Sequence, residues 1–491
     1  MSEVALCIVI AEPVAVAVAL LVLSRQMAHS AGWWAAAASL IAVAFAFALW
    51  PGPNQGQVPV LTLAWHPTAR IVLGLRCDWI THPFLITTTV ITALSIIYAL
   101  GLHHAGHHAP AFYALLLLFG ASMSGTTLAD NMTLFYTFWE LMLITSALLI
   151  LVWGDASPGS PPRRAVAMKY FLVTHAGSIL VLLALIAVYN QAGVDGFSAL
   201  RNGVKIPEKM ISTITLLFLV GFGVKMAVFP LHVWLPDAHT IAPMPVTIML
   251  AAAMLSMGVY GILRFPLSLF EGAQLTSFAV PMMIAGVASE VYGAFMALVE
   301  KHVKRVIAYS SVSQMGYILF GLGTLTQRGL TGATLHVIYH AMVKALLFMV
   351  TGIVVHATGK RLIHELGGLR QDLPTTTLCA VIGVLAIAGT PLLGIFSSEW
   401  MIFSGGAETG ALALTAAAIV GTLLTVAYAL RFLVHLFFSD VPADVQVRSL
   451  SSAVLLPMVC LTILTIVMGA WPAPLIRWVS HGTSLLLGGL R

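Results

Sequence analysis

Residues Gly221 to Arg264 read GFGVKMAVFPLHVWLPDAHTIAPMPVTIMLAAAMLSMGVYGILR, and the fold class follows from them. An apolar run starting near Ile211 would fit a membrane helix, yet Lys225 stands inside it. An ammonium at the bilayer centre costs roughly 2.5–3.5 kcal/mol on insertion scales, so it is rarely accidental. Five residues on comes Pro230, then His232, Trp234 and the string Leu235-Pro236-Asp237-Ala238-His239. Proline removes a backbone donor and breaks a helix. Irregular backbone at membrane depth survives only where protein or a water-filled cavity encloses it. Lysine beside a broken helix therefore reads as an ion site.

Composition agrees. The chain has 491 residues, 59% of them hydrophobic and only 8% charged, against about 25% charged in soluble domains. It is expected to be an all-α polytopic membrane protein. A net charge of +5 is small for this length, and no nucleic-acid partner is expected. Cys7, Cys77, Cys379 and Cys460 lie too far apart for a metal, cluster or disulfide framework. No glycine-rich nucleotide motif follows a strand, and strand signals are scarce. No cofactor and no redox site of its own are expected.

At the N-terminus Glu3 is acidic and no basic leader precedes the apolar run from Val4 to Leu23, which is long enough to span. A window of about 20 residues gives fourteen expected spans. They fall near 4–23, 32–50, 83–102, 111–128, 132–153, 166–189, 211–231, 244–265, 277–299, 306–323, 331–356, 376–403, 410–437 and 452–471. Short connections rich in proline and glycine join them, leaving no room for a soluble domain or a long C-terminal arm. Basic residues at Arg163, Arg164, Lys169, Lys301, Lys304, Arg305, Lys360, Arg361 and Arg370 follow odd-numbered spans. Arg70, Arg76, Arg201, Lys205 and Lys209 lie on the other side. The tighter clusters favour the odd side as cytoplasmic and the N-terminus as outside.

A second break interrupts span twelve, VLAIAGTPLLGIFSSEWMIF, at Gly389-Thr390-Pro391, with Glu399 following. Interrupted helices in corresponding places of two halves point to inverted repeats with mid-membrane sites. The expected organisation is three N-terminal helices in 1–110, one five-helix unit in 111–265, a second in 277–437, and a last helix in 452–491. Lys225 and Glu399 would then hold related places.

Other titratable residues lie within spans. Glu140, in TFWELMLITSALL, has no charged neighbour in sequence, and its bland alternative is a protonated carboxyl bonded to a backbone carbonyl. His336, His340 and Lys344 are spaced i, i+4, i+8, which puts them on one helical stripe and suggests a wire. Glu290 is either a further relay member or a structural partner of a basic group. Glu12 and Arg431 fit snorkelling better. His103, His104, His107 and His108 fit an exposed loop better than a metal site. Burial moves carboxyl and lysine pKa values towards each other, and histidine already titrates near neutrality. Such a mixture can pass protons. Carrying one charge across 100 mV takes roughly 2.3 kcal/mol, and nothing in this chain supplies that energy, so it is expected to be one subunit of a coupled assembly.

The stretch FPLHVWLPDAHTIAPMPV with Lys225 resembles the signature of antiporter-like membrane subunits of complex I-type quinone oxidoreductases, multisubunit sodium/proton antiporters and membrane-bound hydrogenases. FYTFWELMLI around Glu140, EKHVKRVIAYSSVSQMGYILFG, YHAMVKALLFMVTGIVVH and KRLIHELGGL resemble it too, in family order from about residue 110 to 405. The resemblance implies fourteen helices, inverted five-helix repeats, broken helices seven and twelve, and a hydrated charged axis. It implies path positions at Glu140, Lys225, His336, His340, Lys344 and Glu399, and with the residue reading above the expected proton path also takes in His232, His239, Ser256 and Glu290. Glu140 would pair with Lys225, and Glu399 would be the terminal group.

One departure stands out: many relatives carry a lysine where Ser256 stands. Either water joins the two halves, or another group such as Glu290 does, or conduction differs. Expected partners are other membrane subunits, including homologous antiporter-like ones, lipids, and a soluble redox arm where the complex is an oxidoreductase. The expected location is a prokaryotic inner membrane. A sodium/proton antiporter subunit is the alternative, and beyond it a non-conducting scaffold or a proton-flux partner of a soluble enzyme.

Overall fold

The computed structural model describes residues 2–50, 58–66, 71–102, 108–157, 160–197, 200, 206–270, 272–440, 442, 447–448 and 451–488. Of the histidine cluster, His103, His104 and His107 lie outside the described residues, as do Arg70, Arg201 and Lys205. The first helices are α1 (Ser2–Val22), α2 (Ala31–Ala48), α3 (Thr81–Gly101), α4 (Ala109–Leu128), α5 (Met132–Trp153) and α6 (Arg163–Ala192). The seventh span breaks into α7 (Glu208–Met226) and the short α8 (Leu235–Ile241), followed by α9 (Met244–Leu269). The second half comprises α10 (Gly272–Val299), α11 (Val303–Gly323), α12 (Gln327–Thr358), α13 (Pro374–Ile387), α14 (Gly394–Glu408) and α15 (Leu412–Phe438). Last come α16 (Leu455–Ala470) and α17 (Ala473–Gly488).

Among the described residues, twelve helices are long and apolar enough to cross a membrane. The difference from fourteen has a physical cause. Span twelve is divided between α13 and α14, each too short to count alone. The fourteenth span bends by 78° at Trp471-Pro472, where proline cannot continue α16.

The sequence reading missed a β-hairpin. Strand β1 (Val60–His66) pairs antiparallel with β2 (Ile71–Arg76) outside the spans, closing their backbone groups on each other. Asp130 N–H adds to this edge by donating to the Gly74 carbonyl at 2.8 Å.

Below the hairpin a buried ion pair ties α3 to α9. Arg264 donates to both Asp78 oxygens at 2.8 and 2.9 Å, and to Thr81 Oγ1 at 2.6 Å. Its Nε donates to the Tyr260 hydroxyl, which donates in turn to the Thr127 carbonyl on α4. Burial alone would raise the Asp78 carboxyl pKa, but the Arg264 guanidinium and its hydrogen bonds hold it well below the usual carboxylate range.

The connections carrying the basic clusters gather at one end of the bundle. Arg361 bonds Asp155 and Ser157 there, Lys169 and Arg305 both bond Asp237, and Lys304 donates to the Thr240 and Ala242 carbonyls. Arg431 was expected to snorkel. Instead its guanidinium donates to the Glu300 carbonyl at 2.8 Å, capping the C-terminal end of α10.

Asp78→Ala would leave Arg264 charged, buried and unpaired. It should lower stability by roughly 3–5 kcal/mol, read as the thermal unfolding midpoint of the purified protein. A carboxyl depressed in the folded state stabilises above its unfolded pKa near roughly 4 and loses that contribution as pH falls. Wild type should therefore shed this stability below about pH 4 and the variant should not.

Candidate functional site: a buried line of titratable groups between two broken helices

The first break starts earlier than its proline. α7 stops at Met226 because Ala227 turns left-handed, with φ 57°. The freed carbonyls are not orphaned: Trp234 Nε1 donates to the Val224 carbonyl at 2.9 Å, and Val228 N–H donates to Gly223 at 3.2 Å. On the other strand of the break, Phe229 N–H donates to Ser289 Oγ on α10 at 2.8 Å. The unwound segment is thus held by the second half of the bundle.

Lys225 ends α7, 2% exposed. Its Nζ has no hydrogen-bond partner and lies 5.0 Å from the centroid of the Trp139 ring on α5. The ring face supplies part of the lost solvation. Glu140, next to Trp139, acts on Lys225 electrostatically, but the structure gives Glu140 a different contact. Its Oε2 accepts from His175 Nδ1 on α6 at 3.2 Å, so neither the expected direct pair with Lys225 nor the backbone-carbonyl alternative describes its geometry. His175 was not singled out in the sequence.

His232 packs against Tyr292 of α10, with 4.9 Å between ring centroids, and has Lys169 as its charged neighbour. His239 on α8 is fully enclosed, and neither ring nitrogen has a protein partner. Its ring lies 5.5 Å from Phe348 on α12, one turn from Lys344, whose charge reaches it. Ser256 follows a π-turn in α9 (Leu250–Met254), and its hydroxyl donates back to the Ala253 carbonyl at 2.5 Å. It holds no charge, and the electrostatic influence recorded between the halves here is that of Lys344 on His239.

Along α12 the stripe lies as spaced. Lys344 Nζ donates to the Ile307 carbonyl at 3.0 Å and to Ser310 on α11. His340 lies one turn on, its Nε2 unpaired and its charged neighbours Lys344 and His336. His336 sits between Gln314 Oε1 and Ser398 Oγ, each 3.0 Å away. That seat suits both protonation states. When neutral, the ring donates to Gln314 and accepts from the Ser398 hydroxyl. When charged, it donates to both, and the hydroxyl turns to the Ile395 carbonyl 2.8 Å away.

The second break forms around Gly389 and Leu392, at φ 69° and 72°. Gly389 lies against the Glu399 carboxylate, where a Cβ would collide with Oε2. Glu290 does not reach towards Ser256. It is fully enclosed against Gly421 of α15, with Tyr317 and Glu399 as its polar neighbours. Glu290 and Glu399 therefore form one acidic cluster at the end of the line, with Tyr317 stacked 5.7 Å from His336 between them.

A cavity of about 350 Å³ opens on the basic end of the bundle, with the α8–α9 turn, residues 240–244, as its floor. Asp155, His302, Lys304, Arg361 and Arg448 line it. Burial, with Lys304 and Arg361 nearby, holds the His302 imidazole down to about 4, so it stays neutral at pH 7.

Residues 129–425 match the family described as NADH:quinone oxidoreductase/Mrp antiporter, transmembrane. The chain belongs to that family. Among curated proteins, this antiporter-like chain is 35% identical over 384 residues to NAD(P)H-quinone oxidoreductase chain 4 1 of Synechococcus sp. (strain JA-3-3Ab), covering 76% of this chain and 71% of that one. It is 33% identical over 422 residues to NAD(P)H-quinone oxidoreductase chain 4 3 of Picosynechococcus sp., covering 83% and 74%. Its fold matches a chain of respiratory complex I from Thermus thermophilus at TM-score 0.88 and 22% identity over all of both chains. A chain of the Mrp complex from Dietzia sp. matches equally, at 0.88 and 22%, over 99% and 100%. The antiporter-like subunit fold expected from the sequence is therefore shown, and the chain is a multi-pass membrane protein.

Ser289→Ala would strand the Phe229 amide in the break. It should cost roughly 1–3 kcal/mol, and amide exchange across residues 227–234 should rise while exchange in α12 stays unchanged.

Proposed function

We propose that the chain is a proton-translocating membrane subunit of a quinone-oxidoreductase-type complex in a prokaryotic inner membrane, and that its path runs Glu140, Lys225, His239, Lys344, His340, His336, Glu399. The observation that carries this is the set of enclosed polar atoms without a protein partner along that line: Lys225 Nζ, both His239 nitrogens, Ser313 Oγ, Gln314 Nε2 and His340 Nε2. Buried polar atoms of this kind are satisfied by water, and water joins donors too far apart to touch. A core built only for stability would have paired them or replaced them with apolar groups.

Each half keeps a lysine at its centre and an acid at its outer end. When Glu140 loses its negative charge, the Lys225 ammonium loses its counter-charge and the proton is favoured elsewhere; the acidic cluster of Glu290 and Glu399 draws it along α12. Units 111–265 and 277–437 supply the two halves, and their broken helices run in opposite directions: α7 enters from one face and α13 from the other. The cavity above the α8–α9 turn supports water entry next to His239, from the end carrying the basic clusters, which we assign to the cytoplasm. Ser256 orders water beside this junction. His232 stands on the flank of the break and steadies it through Tyr292.

A sodium/proton antiporter subunit is the second reading, favoured by the equal fold match to the Mrp chain. The higher identity to quinone oxidoreductase chains weighs against it. The subunit composition of the purified complex separates the two: redox subunits support the first reading, and small antiporter subunits the second.

Lys225→Ala and Glu140→Ala should each reduce proton translocation at least about 100-fold while the complex still assembles, the loss expected when a positioned proton-transfer group is removed; retained translocation in both would end the assignment. Glu290→Gln tests the acidic cluster separately. A fall in protons moved per quinone reduced, with unchanged assembly, places Glu290 in the relay; an unchanged ratio makes it structural.

A further inference from the structure

The Glu140 carboxylate stands between two bases. Lys225 is on its inner side, and His175 on its outer side donates to it at 3.2 Å. The outer pair is not enclosed. The His175 side chain is 38% exposed and that of Glu140 19%, on a flank where Met168, Leu172, Ile179, Ile144 and Leu148 face outwards. A titratable pair facing hydrocarbon at membrane depth is costly and marks an ion route or a polar contact. Phe171 stacks on the imidazole at 5.4 Å and 11°, and Nδ1 is the ring nitrogen bonded to Glu140 in a side chain that is 38% exposed.

The geometry points to His175 as a lateral proton port: a path residue that delivers protons to Glu140 from outside the chain. The inference rests on the proposed proton path and extends it by one residue. In the step, Nδ1–H breaks as Glu140 Oε2–H forms. As an O–H bond at the flank breaks, Nε2–H forms, the donor being hydronium, left as water, or a carboxylic acid of an adjoining membrane subunit, left as a carboxylate. One proton enters and one passes on, and no electron moves. Imidazole suits the task because its two nitrogens face opposite sides.

The charged and titratable groups around His175 are Glu140 and Tyr136 on α5, Lys225 on α7, and the Lys169–Asp237 pair that joins α6 to α8. Of these, Glu140 is the one bonded to the ring.

Two variants in the assembled complex separate relay from hydrogen bond. His175→Gln keeps a donor for Glu140 but cannot pass a proton through, and His175→Leu removes both. Proton translocation per quinone reduced should fall at least roughly tenfold in both, with assembly intact. Wild-type translocation in His175→Gln would overturn the port, whatever His175→Leu does, because a hydrogen bond alone would then suffice. Lys225→Ala, measured alongside, keeps the two ideas apart. If it still pumps, the path itself is wrong; if it fails while His175→Gln pumps, only the port is wrong. With both histidine variants impaired, adding a membrane-permeant weak acid should restore translocation if water is the donor at the flank, and should not if a neighbouring carboxylic acid is.

Discussion

An ammonium group without a hydrogen-bond acceptor, enclosed among apolar side chains, is the constraint that orders the rest of the molecule. Lys225 occupies the last turn of α7, where the backbone unwinds two residues beyond it. Helix carbonyls released there would be as costly as the charge itself. Trp234 and Val228 satisfy them, and Ser289 takes the amide of Phe229. The break thus keeps the backbone groups named above bonded, while the Lys225 ammonium nitrogen and His232 Nδ1 are left without a partner among the described residues. That selectivity matters, because a disordered break would hydrate everything and localise nothing.

The same logic recurs at the far end with the sign reversed. Glu399 and Glu290 are held together by close glycine contacts, Gly389 against one carboxylate and Gly421 against the other. Side chains at those two positions would displace the carboxyl groups, so the glycines fix where the two acids sit. Between the ends, α12 supplies a rigid ladder. Its helical repeat sets the spacing of His336, His340 and Lys344, and α11 supplies the hydroxyls and the amide that receive them.

Much of this was legible because a charge in a continuous apolar run has few innocent explanations. Lys225, Glu140, the α12 stripe and Glu399 each stood out that way, and Pro230 and Pro391 located the breaks to within a few residues. Legibility failed where the meaning of a residue lies across the fold. Asp78 and Arg264 are 186 residues apart, and nothing in the spacing points from one to the other. His175 lies in span six without a motif around it; its membrane depth alone was the available signal. The hairpin at 60–76 was hidden because its short alternation is weak beside twenty-residue apolar runs. Glu290 was visible as a buried acid, but its partners on α11, α14 and α15 could not be read from spacing.

The substitution at Ser256 shows why the link between halves is a matter of distance rather than of any one helix. A lysine at that position of α9 would add a third amine to a core that already buries Lys225 and Lys344. Here α8 brings His239 to the same junction, where an imidazole can be neutral or charged and presents two nitrogens instead of one. Lys344, bonded to Ser310 and the Ile307 carbonyl, is the charged neighbour that acts on His239 electrostatically. On the proposed path, the charge on Lys344 would decide whether a proton reaching His239 moves on or stays. The coupling between the halves would then run through a ring whose two nitrogens have no protein partner among the described residues.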